Sequence, residues 1–187
     1  MCLLPAGLID ENVEIFATLT YGKCMATFNG KVVGFWDLPE EVISGIEDEA
    51  LADKKAMATF KEDGITDLKV ITETWAWCNL GRYDKVADYN TSSGAIKKEY
   101  HDCGRRGKCP HEFKRCSKVQ VEDGFLTARE TECAIHMAHG FADKEIADRM
   151  GLQEVSMISL CQRVREKIGA RNRVDVAIWA TKMGLIE

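Results

Sequence analysis

The stretch "EVSMISLCQRVREKIGARNR", Glu154 to Arg173, decides how the chain is read. Its apolar residues recur at helical spacing, and Gly169 supplies a stop. Its first nine residues, Glu154 to Gln162, carry no cation, whereas Arg163, Arg165, Lys167, Arg171 and Arg173 crowd the second half. Three more helices are legible around it. "LTARETECAIHMAHG" opens with Thr127 and Glu130 at capping-box spacing, so the hydroxyl can accept from the amide of the third helical residue while the carboxylate reaches back. Gly140 closes that helix. "DKEIADRMG" is a short helix from Asp143 to Met150, stopped by Gly151, and the quoted helix follows it directly. "NRVDVAIWATKMGLI" is the last, with Asn172 as its cap and Gly184 as its stop.

A short helix joined by a tight turn to a longer one is a helix-turn-helix. The segments "LTARETE", "G-F-A-D-K-E-I-A", "REKIGARNR" and "A-x-x-x-GLI" resemble the LuxR/GerE-type helix-turn-helix of bacterial transcription regulators, over about residues 125–187. The resemblance implies a bacterial or phage DNA-binding protein that regulates transcription. In such modules the third helix enters the major groove of double-stranded DNA, the second crosses near the backbone, and the fourth often makes a dimer contact. A homodimer on paired half-sites is the expectation. Carried onto this chain, the implied DNA contacts are Lys144 on the second helix and Ser156, Ile158, Ser159, Gln162 and Arg163 on the third.

The departures from the family pattern are specific. Gln153 stands at the cap of the third helix, Ser156 for the usual Thr, Met157 for Val, Ile158 for Lys and Leu160 for His, and Ala142 replaces the Ser before the second helix. A cap worth about 1 kcal/mol is missing, and so is a cation that would meet phosphate or a guanine edge. Ile158 could meet a thymine methyl instead. A competing reading of the same residues is a helix-turn-helix that no longer binds DNA and serves as a docking surface.

The chain has 187 residues, enough for one large or two small domains, and a net charge of −5, which argues against a generic nucleic-acid coat. No apolar run of ~20 residues is present, so no membrane span is expected. "MCLLPAGLIDENVE" has no basic n-region and no long apolar h-region, so it is a poor signal peptide and a cytoplasmic location is expected. In that compartment eight cysteines argue for free thiols or metal rather than disulfides. Residues 1–60 hold ten Asp/Glu against four Lys/Arg, an acidic head that could take a protein partner. Residues 61–123 hold twelve basic and eleven acidic residues, and residues 124–187 nine of each.

"VEIFATLTYGKCMATFNGKVVGFWDLP" reads as two or three strands between Val13 and Trp36, with Asn29-Gly30 as a hairpin turn. Pro39 opens a helix running towards Gly64, weakened at Gly45, with acids at its front and lysines later. "TDLKVITETWAWCNLG" is another helix, apolar at Leu68, Ile71, Trp75 and Cys78. Residues 79–118 look irregular, and "VEDG", Val121 to Gly124, reads as a linker.

The irregular region carries the second constellation. Cys78, Cys103, Cys109 and Cys116 lie within 39 residues at C-x24-C-x5-C-x6-C spacing, with His101 and His111 between them. Four thiolates suit a tetrahedral zinc ion, which can hold a segment too irregular to build its own core, and His111 could replace one of them. An iron–sulfur cluster also takes four cysteines, and plain free thiols remain open. From Lys97 to Lys118 eight Lys/Arg face three acids, with Arg105 and Arg106 between the ligand candidates. Such a loop could contact DNA phosphate or balance the charge of a thiolate site. Cys24, Cys133 and Cys161 read as small core residues, Cys2 as merely terminal, and Trp75 and Trp77 as packing under the cysteine region. His136 and His139 read as surface or helix-end residues.

No dinucleotide fingerprint, phosphate loop or nucleophile elbow is present. Cys109 beside His111 is a weak hint of thiol catalysis, and a non-enzymatic protein is expected. The expected fold is α+β: an N-terminal α+β domain at 1–77, a Cys-rich, metal-stapled basic connector at 78–120, and an all-α four-helix domain at 125–187. The expected function is sequence-specific DNA binding. The alternatives are an interaction or assembly module reusing the fold and a metal or redox sensor.

Overall fold

The computed structural model describes residues 4–186; Cys2 lies outside the described residues. The chain is α+β and forms two compact units, one ending at Ser117 and the other beginning at Lys118. No helix among the described residues is long and apolar enough to cross a membrane.

The first unit opens with an antiparallel meander of β1 (Glu14–Ala17), β2 (Cys24–Phe28) and β3 (Lys31–Gly34), in that spatial order. Phe28 pairs with Lys31, and the turn between them places Asn29 at φ 49° and Gly30 at φ 76°. Both central residues are left-handed, the geometry of a tight hairpin that Asn-Gly tolerates. β1 is covered on both faces. Ile15 enters the core, while Glu14, which the pleat turns the other way, is equally buried.

The helix expected from Pro39 to Gly64 is two helices. α1 (Glu40–Ala52) ends where Asp53 leaves helical geometry at ψ 82°, and the Asp53 carboxylate then accepts from the Ala56 amide at 3.1 Å to cap α2 (Lys54–Glu62). A short polar side chain that competes for backbone amides breaks the run, so the interruption falls at Asp53 and not at Gly45. Gly45 has another use: a Cβ there would stand 3.0 Å from the Tyr89 ring, so its absence lets Tyr89 pack on α1. α3 (Leu68–Asn79) is capped by Asp67 and is buried continuously from Ile71 to Asn79, with α1 packed against it. Trp75 is fully buried, and its indole N–H donates to Asp53 at 3.3 Å.

Residues 80–117 contain no helix or strand beyond isolated bridges of Tyr89 with Val13 and Ile96. Leu80 and Tyr89 nevertheless join the first unit's core, and Cys103 and Cys116 pack against it. The segment expected to be a separate connector is therefore built onto the first unit. The expected "VEDG" linker is also absent: Val121 pairs with Gly124 in a hairpin of β4 (Val119–Val121) and β5 (Gly124–Leu126).

That hairpin begins the second unit, which is otherwise helical: α4 (Ala128–Ala138), α5 (Asp143–Met150), α6 (Glu154–Ile168) and α7 (Arg173–Lys182). α4 packs against α7 and α6, and α5 against α6. The capping box forms as its spacing predicts. The Thr127 amide donates to Glu130 at 2.9 Å, and the Glu130 amide to the Thr127 hydroxyl at 3.3 Å. α5 and α6 stop at Gly151 and Gly169, both left-handed. Cys133 and Cys161 are core residues, as is Cys24 in the first unit; the Cys133 and Cys161 sulfurs lie 3.6 Å apart beside those of Met137 and Met157.

Candidate functional site

α6 divides cleanly. Met157, Leu160, Cys161 and Val164 are buried against α4 and α5, which leaves Ser156, Ile158, Ser159, Gln162 and Arg163 exposed on the opposite face. All five predicted reading residues therefore share an accessible surface. Leu160, which stands where the family carries His, is a core residue and is not on that face. The face is mixed in character. Ile158 is 49% exposed and Val155 76% exposed, Ser159 donates to the Val155 carbonyl at 3.3 Å, and the Gln162 amide is held by Glu166 at 2.9 Å. Lys144 is exposed on α5.

The basic residues of this unit fall into two groups. Lys167 pairs with the buried carboxylate of Glu130 at 2.8 Å, Arg171 with Asp175 at 3.1 Å, and Arg173 with Asp143 and the Phe141 carbonyl. Arg129 donates to the Met150 carbonyl at 3.4 Å, and the Arg149 guanidinium lies over the Phe141 ring at 3.9 Å. Lys144 and Arg163 have no ion-pair partner among the described residues. Arg165 and Lys182 likewise make no ion pair among the described residues, and Lys144 and Arg163 are the ones exposed on α5 and on the open face of α6.

The caps missing from the sequence are missing in the structure. Neither Ala142 nor Gln153 makes a side-chain cap bond, although Glu145 accepts from the Ala142 amide at 2.7 Å. The open amides at the start of α6 still present a partial positive charge. His139 caps the C-terminal end of α4, and His136 packs edge-on against Phe141.

In the first unit Cys78, Cys103, Cys109 and Cys116 line one small cavity together with His111, Arg105 and Arg106. Trp77 lines it too, as expected, whereas Trp75 sits in the core. None of these cysteines is in a disulfide. Burial pushes the Cys78 thiol up to about 12 and raises that of Cys116. Among the described residues, no group of three or more His, Cys, Asp or Glu side chains is drawn together closely enough to hold a metal ion. The His111 Nε2 is 3.0 Å from Asp63.

Three lining residues were not legible as site residues: Tyr21, Glu112 and Arg115. Arg115 is 3% exposed; its guanidinium donates to Thr59, Tyr21 and Asp63 and lies 4.0 Å from the Phe60 ring. Its position beside Cys116 was the available signal. Tyr21 arrives from the β1–β2 connection, far upstream, with nothing local to mark it. Arg105 is exposed, with its guanidinium over Tyr21 at 4.3 Å. Arg106 is a strut of the loop, donating to the carbonyls of His101 at 3.1 Å and Ser117 at 3.0 Å.

No curated protein and no solved structure matches the chain. Residues 125–180 match the family profile described as bacterial regulatory proteins, luxR family. That span runs from the β5 strand through α4, α5 and α6 into α7, so the capped helices, the tight α5–α6 turn and the exposed face of α6 all fall inside it. The C-terminal part of this chain thus matches the LuxR-family (GerE) domain of bacterial regulatory proteins, and α5 and α6 within the match form its helix-turn-helix.

Proposed function

We propose that this protein is a sequence-specific DNA-binding transcription regulator that reads the major groove with α6. The observation that carries the reading is the face of α6. Ser156, Ile158, Ser159, Gln162 and Arg163 are all exposed on the side away from the core, and Arg163 there and Lys144 on α5 have no ion-pair partner among the described residues. Arg163 can pair with a guanine edge, Gln162 and the serines can donate and accept, and Ile158 can cover a thymine methyl. Lys144 and the uncapped amides of α6 meet phosphate. α7 carries Val174, 66% exposed, and Ile178, 51% exposed, one helical turn apart. A second copy covering that stripe would place two reading helices on paired half-sites.

Selection of bound sequences from a randomised duplex pool, at a stated near-physiological salt, tests the proposal. An enriched motif supports it, and a two-fold symmetric motif supports the dimer as well. No enrichment, with binding that vanishes as salt rises, overturns it. The second reading, an interaction module, is favoured by the exposed Val155 and Ile158 and by the acidic α1 surface, where Glu40, Glu41 and Asp48 are exposed. It would be the reading to adopt after such a failure.

A further inference from the structure

We propose that Cys78, Cys103, Cys109 and Cys116 form a four-thiolate site for a single zinc ion, which pins the irregular segment 80–117 to the end of α3. The four cysteines come from separate places. Cys78 is on the last turn of α3, and the other three are spread along a segment with no helix or strand of its own, yet all four line one cavity. The cavity is about 20 Å³. That is room for an ion or a water molecule and not for an organic cofactor.

The polar surroundings are incomplete without an occupant. Arg106 Nη2, His111 Nδ1 and Glu112 Oε1 are buried with no hydrogen-bond partner, and all three residues line this same cavity. Native interiors leave few such groups, and thiolate sulfurs gathered in the cavity could accept from Arg106 Nη2. The charge also closes. Four thiols lose four protons to solvent as they bind Zn²⁺, leaving a complex of net charge −2, and no oxidant or reductant is needed. Arg105, Arg106 and Arg115 line the cavity and offset that charge. Arg106 and Arg115 are held there by hydrogen bonds to the protein, which favours charge balance over DNA contact as their use. His111 has its Nε2 3.0 Å from Asp63 and its Nδ1 without a hydrogen-bond partner, so the four-cysteine set is distinguished from a set of three cysteines and His111 by the His111→Ala variant below. The inward movement that coordination requires falls to Cys103, Cys109 and Cys116, which are only partly buried on the irregular segment. Such a cross-link is the usual way a segment without its own core is folded by metal.

The test uses the full chain, purified without chelator and again after stripping and reloading with zinc or cobalt(II). One zinc per chain by plasma mass spectrometry is expected, with intense sulfur-to-cobalt charge transfer and tetrahedral visible bands in the cobalt form. Cys103→Ser and Cys109→Ser should each bind zinc at least tenfold more weakly. His111→Ala and Cys161→Ala should keep full stoichiometry. In the wild-type chain, chelation should expose four further thiols to a thiol reagent, a readout that needs no variant to fold. Absence of zinc after reloading, absence of the cobalt charge-transfer band, or loss of zinc in His111→Ala would overturn the four-cysteine site. Iron with acid-labile sulfide and brown colour would overturn zinc in favour of a cluster.

Discussion

At the scale of the residue, what matters is which cations are already engaged. Arg171 and Arg163 lie eight positions apart, but Arg171 is bound to Asp175 by two hydrogen bonds while Arg163 projects from the open face of α6. Arg163→Ala should therefore weaken specific DNA binding by about 1–3 kcal/mol and relax the base preference at one position. Arg171→Ala should leave specific affinity unchanged. Equal loss for Arg163→Ala on every sequence would make it a phosphate contact instead. Ile158 is where the family carries a cation. Ile158→Lys should raise non-specific affinity and steepen the salt dependence, by about one in the slope of log K against log salt. Titrations at several salt concentrations measure both effects, and an unchanged slope would place Ile158 away from the nucleic acid.

At the scale of the element, the second unit shows helices with and without caps. α4 has the reciprocal Thr127–Glu130 box, and Lys167 adds an ion pair to the same carboxylate. α6 starts at Gln153 with no side-chain cap. Thr127→Ala should lower the stability of the second unit by about 1 kcal/mol, and Gln153→Ser should raise it by about 0.5–1 kcal/mol, because a serine oxygen there can accept from an open amide of the first turn. Urea midpoints of the two variants against wild type test this. If Gln153→Ser stabilises the unit yet weakens DNA binding, those amides are meeting phosphate rather than solvent.

At the scale of the whole molecule, the first unit contains a group of buried acids. Glu14 of β1 accepts from the Asp84 amide at 2.6 Å, Asp88 accepts from Ile15 at 2.7 Å, and Glu99 accepts from Arg82 at 2.7 Å. Burial is the main cause that pushes Glu14 up to about 9 and Glu99 up to about 8, with neighbouring carboxylates adding to it, and it holds Asp88 well above its ordinary range. The folded chain thus keeps protons that the unfolded chain releases near pH ~4.5. Stability from these groups is fully present below the unfolded value and is lost as pH rises through the folded values. Thermal unfolding should show the first unit losing stability from about pH 5 to about pH 9. Glu14→Gln, uncharged at every pH, should flatten that slope; an unchanged slope would assign the dependence to other groups.

Sequence by itself determined the four helices of the second unit and the Asn29-Gly30 hairpin, because caps, helix stops and turn residues act within a few positions of themselves, but it read the β4–β5 hairpin as a linker. It also marked the exposed face of α6, since helical period decides which of its residues can be buried. It singled out the four cysteines, and their convergence on one cavity was decided only by packing α3 against a segment that has no periodicity to read. The same holds for Tyr21, brought to that cavity from the β1–β2 connection, for Arg106, tied to carbonyls of its own loop, for Arg115, tied to Thr59, Tyr21 and Asp63, and for Glu14, buried although a strand pattern would leave one face wet. Pairing across tens of residues depends on which surfaces exclude water together, and local spacing carries no record of that.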